Sequence, residues 1–240
     1  MKIAIVGTGY VGLVQGVVLS EFGMNVLCLD KDKTKIDKLK KGIVPIYEPG
    51  LEEVMARNIA ANRLRFTTDS QEAFNFADII FIAVGTPPAE DGSADLSHVR
   101  LVAEEIGQSI IGYKIIVNKS TVPVGTGRLV HDIITQQIKN RNVDARIDIV
   151  SNPEFLREGK AVQDCFKPDR VVIGCESENA KKIMQDIYNV LFINQTPFVF
   201  TNLETAELIK YASNAFLAVK ISFINEIALL AEKVGLIPRK

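Results

Sequence analysis

Short apolar runs alternate with longer amphipathic segments along most of the chain. The runs are rich in Val, Ile and Phe, which is typical of strands buried on both faces of a parallel sheet. They predict strands at 2–6, 25–29, 64–67, 79–84, 115–119, 147–151, 170–174 and 197–200. Helical periodicity predicts helices near 11–23, 52–61, 97–108, 127–139 and 179–191. This alternation predicts an α/β fold with a doubly wound, mostly parallel sheet and helices on both faces.

The pattern changes at Asn202, which suits the N-cap of a helix running to about Lys233. Roughly thirty residues would span ~45–50 Å, which is longer than a globular domain usually needs. The stretch 215–231 is apolar on more than one face, so it requires a covering partner, either a second copy in a dimer or a further domain. We therefore predict a sheet domain at 1–200 and a long central helix at 201–240.

The first strand leads directly into a glycine-rich turn, Gly7-Thr8-Gly9-Tyr10-Val11-Gly12. Gly7 permits the tight turn, Gly9 lets the backbone approach a pyrophosphate, and Gly12, helped by Gly16, lets the helix pack closely on the strand. That helix directs unpaired N–H groups and its positive dipole end at phosphates. Asp30 lies about 20 residues on, where a carboxylate accepts hydrogen bonds from an adenosine ribose. This order of elements predicts a Rossmann-like dinucleotide site.

Asp30 also bears on which dinucleotide is bound. A carboxylate there repels the 2′-phosphate of NADP, so the sequence favours NAD. Lys31, Lys33 and Lys35 leave NADP open because three cations could offset that repulsion; their other interpretation is the solvated start of a helix. We expect Lys35 to lie near the adenosine end of the cofactor.

The composition narrows the class of protein. The chain has 240 residues, 47% of them hydrophobic, and its net charge of −1 gives no reason to expect nucleic acid or an anionic membrane as partner. We expect that no apolar run reaches the ~18 residues of a membrane span, and a core strand at the N-terminus argues against a signal peptide. Cys28, Cys165 and Cys175 lack metal-type spacing, so we expect no metal site and small core cysteines in a reducing cytoplasm. His98 and His131 fall in predicted helices without an obvious acid or nucleophile, which favours surface or packing roles.

Three predicted strands end in loops of unusual composition, at 85–88, 120–126 and 152–159. Ligands of doubly wound sheets bind at the carboxyl ends of the strands. Turn chemistry explains the Gly and Pro residues of these loops, but it does not explain the hydroxyls and carboxylates that recur there. This edge of the sheet is therefore where we expect the chemistry.

Polar residues at this edge indicate acid/base work and charge stabilisation. Glu154 can accept or relay a proton, directly or through a water held with the Thr121 hydroxyl; its other interpretation is an N-cap or salt-bridge acid. Lys210 and Asn214 share one face of the long helix and could stabilise an oxyanion. The alternative for these two is a plain surface pair at the start of the helix.

Several longer motifs resemble the UDP-glucose/GDP-mannose dehydrogenase family over nearly the whole chain. They are GTGYVG (7–12), YEPGL (47–51), VGTP (84–87), STVPVGT (120–126), NPEFLREG (152–159), PDRVVIG (168–174) and KYASNAFLAVKISFINEIA (210–228). NPEFLREG and FLAVKISFINE are more similar to the UDP-glucose branch than to the GDP-mannose or UDP-N-acetylmannosamine branches.

The resemblance implies an NAD-dependent, four-electron oxidation of a sugar C6 alcohol to a carboxylate, through aldehyde and thioester stages. In it Glu154 is the acid/base, acting with a water shared with Thr121, while Lys210 and Asn214 stabilise the oxyanion. The implied substrate-binding residues are Glu154, Phe155, Leu156, Arg157, Glu158, Lys210 and Asn214. The resemblance also implies cofactor contacts beyond the glycine turn and Asp30. These further residues are Lys35, Val84, Gly85, Thr86, Pro87, Ser120, Thr121 and Glu158, of which Glu158 lies at the nicotinamide end.

The chain departs from the family in one respect. Family members carry a nucleophilic cysteine in a Gly-Ser-Cys-Phe-Pro-Lys-Asp type motif downstream of the long helix, followed by a nucleotide-sugar domain, and neither is in this sequence. Cys165 stands where the family has an apolar residue, so we do not expect it to be the nucleophile. We expect this chain to supply the NAD domain and part of an active site that converts UDP-glucose to UDP-glucuronate, without complete turnover by itself.

Two alternatives stay open at this point. One is a non-catalytic NAD-binding or dimerising module, which the polar tail 238–240 suggests. The other keeps the chemistry and changes the substrate to GDP-mannose or a UDP-N-acetylhexosamine. The sequence does not distinguish polysaccharide biosynthesis from lipid modification or nucleotide-sugar pools as the destination of the product.

Overall fold

One eight-stranded sheet forms the centre of the molecule in the computed structural model, which describes residues 1–236. Its strands are β1 (Lys2–Val6), β2 (Asn25–Leu29), β3 (Leu64–Thr67), β4 (Ile79–Ile82), β5 (Gly112–Asn118), β6 (Ala145–Ser151), β7 (Val171–Gly174) and β8 (Phe198–Thr201). They are ordered β3-β2-β1-β4-β5-β6-β7-β8. Neighbours run parallel except β6 and β7, an antiparallel pair that meets at Ser151 and Gly174. The predicted doubly wound, mostly parallel sheet is confirmed.

Helices cover both faces of this sheet. They are α1 (Tyr10–Glu21), α2 (Lys33–Lys40), α3 (Leu51–Ala60), α4 (Ser70–Phe76), α5 (Ser97–Ser109), α6 (Thr126–Arg141), α7 (Ala161–Phe166), α8 (Glu178–Ile187) and α9 (Leu203–Lys233). Ile3 and Ile5 of β1 join the core formed with α1, α3, α7 and α8, whereas Ala4 and Val6 join the core with α4, α5 and α6. Because successive side chains of a strand point to opposite faces, a strand covered on both faces is apolar throughout.

The helices differ from prediction where they are short. Neither α4 nor α7 was predicted, because seven and six residues are less than two turns and display no apolar period. For α2 only the solvated start of a helix was predicted. The Asp32 side chain caps this helix by accepting from the Lys35 N–H at 3.0 Å. The helix predicted at 179–191 divides into α8 and a separate 3-10 helix at Asn189–Asn194.

The strand order places a switch point between β1 and β4. From β1 the chain moves outward to β2 and β3, and it then returns to β4 and continues in the other direction. The loops that follow β1 and β4 therefore diverge and leave a crevice at the carboxyl edge of the sheet. The glycine-rich turn and the loop after β4 form its two sides.

The first turns of α9 are fixed to the sheet. Asn202 caps the helix as predicted, with its side chain accepting from the Thr205 N–H at 2.9 Å. The Glu207 carboxylate accepts from the N–H groups of Gly125 and Gly127, each at 2.7 Å, so it occupies the N-terminus of α6. This contact joins α9 to the loop after β5 and sets the position of Lys210 one turn further on.

The rest of α9 extends away from the sheet with its apolar side chains exposed. Phe216 is 71% exposed and Phe223 is 64% exposed, and within residues 1–236 no element covers them. An 18-residue window of α9 has a mean hydropathy of 1.5 and is not buried. By length and composition this helix could cross a membrane, so the expectation that no apolar run reaches the length of a membrane span was wrong. Lys220 and Glu226 divide the apolar stretch and obscure its length in the sequence. The predicted polar tail 238–240 lies outside the described residues.

Candidate active site

The glycine-rich turn between β1 and α1 has the geometry of a phosphate site. A Cβ on Gly7, whose φ is +96°, would lie 2.6 Å from the Ala83 carbonyl oxygen, and one on Gly12 would lie 1.9 Å from the Gly7 oxygen. Gly9 is different, since a Cβ there would meet nothing within 4 Å and its φ of −68° suits any residue. Among the described residues, no side chain caps the N-terminus of α1. The turn is closed by Gly7 and Gly12 and open at Gly9, where a pyrophosphate fits.

Asp30 is joined to the same turn. Its Oδ2 accepts from the Thr8 N–H at 2.8 Å, the Thr8 hydroxyl at 2.6 Å and the Lys35 ammonium at 3.0 Å. Burial opposes ionisation of Asp30, but these donors and the Asp32 N–H outweigh it and lower the pKa of Asp30 to about 2. Asp30 is therefore a carboxylate at neutral pH, as recognition of a ribose hydroxyl requires. That Lys35 faces the adenosine stays a prediction.

A cavity of about 370 Å³ lies beside the turn and Asp30. Its far wall belongs to α5 and comprises His98, Leu101, Val102 and Glu105. Sequence reasoning missed this wall; the available signal was Leu101, an apolar residue on the outer face of a predicted helix, which is 54% exposed. The ring of His98 lies 3.4 Å from the Gly85 carbonyl oxygen, so this histidine packs against the loop after β4 and lines the cavity.

The second histidine lies elsewhere. The His131 ring is 3.1 Å from the Asp132 carboxylate, and both side chains are exposed. An acid does lie beside His131, contrary to the sequence analysis, but the pair is on the surface of α6 and away from the crevice.

The loops that follow β4 and β5 are joined to each other. The Thr86 hydroxyl donates to the Thr121 carbonyl oxygen at 2.7 Å, and the Ser120 hydroxyl donates to the Val84 carbonyl oxygen at 2.8 Å. Two segments predicted to contact the cofactor thus form one unit at the carboxyl edge. Within residues 1–236 the Thr121 hydroxyl forms no direct hydrogen bond with Glu154, so the water that they are predicted to share stays a prediction.

Glu154 and Lys210 meet at this edge, although one follows β6 and the other lies on α9. The Lys210 ammonium is 2.9 Å from Oε1 of Glu154, and the two side chains are only 8% and 12% exposed. The other carboxylate oxygen accepts from the Leu156 N–H. A buried ion pair contributes little net stability because both charges lose their hydration, whereas two opposite charges held at a ligand-binding edge are suited to catalysis.

Phe155 packs beside this ion pair. The guanidinium of Arg170 lies 4.1 Å from the centre of its ring, and the Lys210 ammonium lies 5.3 Å from it. Both distances are in the range of cation–π attraction. Glu154, Phe155 and Lys210, which were predicted to contact the substrate, are therefore brought together.

Three other predicted residues lie at the surface. Arg157 is exposed and paired with Asp164, and Glu158 is exposed next to it. Asn214 shares its helix face with Lys210 but is exposed. Their predicted contacts with substrate or cofactor stay predictions.

A buried polar cluster that the sequence analysis missed lies behind Glu154. The Lys119 ammonium donates to Oδ1 of Asn152 at 3.1 Å, and the Tyr188 hydroxyl donates to the same oxygen at 2.7 Å. Burial lowers the pKa of Lys119 to about 8 and raises the pKa of the Cys165 thiol to about 12. With Glu154 these side chains line a cavity of about 160 Å³. A thiol with so high a pKa is a poor nucleophile, which agrees with the expectation for Cys165.

The sequence of the chain matches the models of a known family. Residues 1–192 match the NAD binding domain of the UDP-glucose/GDP-mannose dehydrogenase family, and residues 204–237 match the central domain of that family. The UDP-glucose 6-dehydrogenase of Rhizobium meliloti strain 1021 is 53% identical over 98% of this chain and 54% of its own length. The chain thus spans about half the length of the curated relatives it matches.

Solved structures agree on the fold. A UDP-glucose dehydrogenase from the archaeon Pyrobaculum islandicum superposes with a TM-score of 0.92 at 42% identity, over 98% of this chain and 54% of that one. A GDP-mannose dehydrogenase from Pseudomonas aeruginosa superposes with a TM-score of 0.93 at 37% identity, with the same coverage. The fold therefore does not separate the sugar branches. This chain belongs to the UDP-glucose/GDP-mannose dehydrogenase family, and the dinucleotide that it binds is NAD.

Proposed function

We propose that the protein oxidises the C6 hydroxyl of UDP-glucose to a carboxylate with NAD, giving UDP-glucuronate, an activated sugar for polysaccharide biosynthesis. The observation that carries this proposal is the buried ion pair of Glu154 and Lys210 at the carboxyl edge of the sheet. The greater identity to UDP-glucose dehydrogenases than to the GDP-mannose dehydrogenase supports UDP-glucose as the substrate.

NAD, when bound, supplies the two-electron acceptor for the oxidation. The turn fits its pyrophosphate, because Gly9 is open and the N–H groups of α1 have no side-chain cap. Asp30 is an ionised acceptor for the ribose hydroxyls. The chain's part in this binding is to fix the dinucleotide along the crevice between β1 and β4.

The ion pair performs the proton chemistry at C6. An ammonium has three N–H donors, so Lys210 can hold Glu154 with one and the substrate oxygen with another. Glu154 accepts the hydroxyl proton, directly or through a water that Thr121 helps to hold, while Lys210 stabilises the negative charge that develops on oxygen. Asn214 lies one turn further along α9 and adds its amide to the same oxygen when the sugar is bound.

The sugar lies along the segment after Glu154. This segment begins at the ion pair at the carboxyl edge of the sheet. Arg170 and Lys210 place positive charge over the Phe155 ring. Positive charge at this point favours a diphosphate ligand.

The covalent stage of a four-electron oxidation needs a thiolate. Burial raises the pKa of both Cys28 and Cys165 to about 12, and it also raises that of Cys175, so none of the three is suited to the role. We therefore assign to these 240 residues the cofactor site, the acid/base and the oxyanion groups, and we assign the nucleophile to a segment outside them.

The test is the stoichiometry of the reaction in the intact protein. We expect two NADH per UDP-glucose consumed, UDP-glucuronate as product, and a kcat/KM for UDP-glucose above those for GDP-mannose and UDP-N-acetylmannosamine. One NADH per substrate would mean that oxidation stops at the aldehyde. NAD binding without turnover of any of the three sugars would favour the non-catalytic module instead.

We propose further that a second copy of the chain covers the exposed part of α9, giving a homodimer in a reducing cytoplasm. Lys220 and Glu226 lie within the apolar stretch, and charges at the centre of a membrane span are costly, so a protein partner suits this surface better than lipid. Replacing Phe223 by aspartate should convert the dimer to a monomer by sedimentation equilibrium, because the charge would be buried in the interface.

Ile193→Asp is the matched control for this variant. Ile193 is 82% exposed on the 3-10 helix Asn189–Asn194, outside α9, so the same charge change there should leave the dimer intact. A wild-type protein that sediments as a monomer, or that partitions with membranes, would contradict the dimer.

A further inference from the structure

Glu48 is a nearly buried acid that the proposed chemistry does not use. It lies in the motif 47–51 immediately before α3 and is only 6% exposed. A carboxylate removed from water needs either a cation or several hydrogen-bond donors. Within residues 1–236 no lysine or arginine forms an ion pair with Glu48. Hydrogen-bond donors from two distant segments of the chain stabilise the Glu48 carboxylate instead.

The first donor is Tyr10, whose hydroxyl donates to Oε2 of Glu48. The N–H of Gly159 donates to the same oxygen at 2.9 Å, and the N–H of Val162 donates to Oε1 at 3.3 Å. The Gly159 N–H is also 3.0 Å from the Tyr10 hydroxyl oxygen. Burial and the neighbouring Glu48 raise the pKa of Tyr10 to about 12, so the hydroxyl keeps its proton and remains a donor.

These contacts join the two halves of the active site. Tyr10 is the first residue of α1 and directly follows Gly9 of the dinucleotide turn. Gly159 directly follows Glu158, at the end of the segment proposed to hold the sugar, and Val162 lies in the first turn of α7. The other end of this segment is fixed by the side chain of Asn152, which is held by Tyr188 and Lys119. The segment is therefore fixed at both ends, and Glu48 is the fixing group at the cofactor side.

We propose that Glu48 is a positioning residue, which with Tyr10 fixes the sugar-binding segment 154–159 against the dinucleotide-binding turn. The inference rests on the proposed function for the identity of the sugar. Because Glu48 acts on the end of the segment and touches no reacting atom, its loss should weaken nucleotide-sugar binding more than it slows the chemical steps.

The test compares Glu48→Gln with Glu53→Gln in the intact protein. Glu53 is an exposed acid in the first turn of α3, so it matches the charge change without the contacts. We expect Glu48→Gln to raise the KM for UDP-glucose about tenfold, because a loosened segment misplaces its contacts, with kcat and the KM for NAD within about threefold of wild type. Glu53→Gln should change none of these by more than about twofold.

A second variant keeps the test decisive if Glu48→Gln folds poorly. Tyr10→Phe removes one donor only, so it should raise the same KM by a smaller factor. The double variant should match Glu48→Gln alone, because residues that act through one contact are not additive.

Hydrogen exchange gives a readout that does not depend on the substrate. The amides of Gly159 and Val162 should exchange faster in Glu48→Gln than in wild type. In Glu53→Gln their exchange rates should equal those of wild type. Unchanged exchange at these two amides, or a lower Tm with an unchanged KM, would overturn the proposal. If the wild-type protein ignores UDP-glucose while the exchange behaves as expected, the substrate assignment fails and the role of Glu48 in fixing the segment stands.

Discussion

Replacing Lys210 by methionine is expected to lower kcat for UDP-glucose oxidation by about 10²–10³-fold, the usual loss when one preorganised donor to a developing oxyanion is removed. Methionine keeps most of the volume of lysine, so the packing against Phe155 survives and the ammonium alone is lost. NAD should still bind, because the turn and Asp30 are formed by other elements. The rate of NADH formation with saturating UDP-glucose, together with NAD titration, measures both effects.

The same substitution also leaves Glu154 as an unpaired charge that is only 12% exposed. Breaking a buried pair costs about 3–5 kcal/mol of stability, and this loss must be separated from the loss of catalysis. The double variant Glu154→Gln with Lys210→Met removes both charges and should recover most of the stability while remaining inactive. A double variant that recovered activity along with stability would mean that Lys210 serves the fold only.

Lys181→Met is the control for the lysine change. Lys181 lies 3.4 Å from Glu178 in an ion pair on α8, and both side chains are far more exposed than those of Lys210 and Glu154. An exposed pair of this kind contributes about 0–1 kcal/mol, so kcat and stability should both stay near wild type. If Lys210→Met kept kcat within threefold of wild type, Lys210 would not be the oxyanion stabiliser.

Much of this fold could be predicted because its signals are local. A buried parallel strand is a short apolar run, and strands such as Ile79–Ile82 have little other interpretation. The signal of the dinucleotide turn is also local, since Gly7, Gly12 and Gly16 are each required by an atom close by. A Cβ on Gly16, for example, would lie 2.6 Å from Sγ of Cys28 on the neighbouring strand. The sequence predicted a mostly parallel sheet but did not indicate that β6 and β7 are the antiparallel pair. The direction of a strand depends on the connections between strands rather than on the residues of the strand itself.

The candidate site could be predicted only in part because its contacts are distant in sequence. Glu154 and Lys210 were each selected by position, but nothing in either motif indicates that their charges touch. The buried cluster around Lys119 was missed because a lysine at the end of a strand normally reaches water. Glu48 was part of a recognised motif and still received no role, since its partners Tyr10 and Gly159 belong to two other motifs.

Replacing Gly12 by alanine is expected to weaken NAD binding by about 10²-fold, or about 2.8 kcal/mol. The added Cβ would lie 1.9 Å from the Gly7 carbonyl oxygen, which is backbone and cannot move aside as a flexible side chain can. The turn itself must therefore shift, and its N–H groups are the ones that face the pyrophosphate. Isothermal titration with NAD measures the affinity, and thermal unfolding should show a loss of stability, since overpacking costs about 1–3 kcal/mol.

The variant Gly9→Ala separates the loss of NAD affinity from the loss of stability. A Cβ on Gly9 meets no atom within 4 Å, and its backbone angles are open to alanine, so the free protein should keep its wild-type Tm. Any need for glycine at this position must therefore come from the ligand, and we expect NAD affinity to fall at least about tenfold as the methyl group meets the pyrophosphate. Gly9→Ala with wild-type affinity would mean that the dinucleotide does not cross the turn at Gly9. A lower Tm without NAD would mean instead that the free turn is tighter than its geometry indicates.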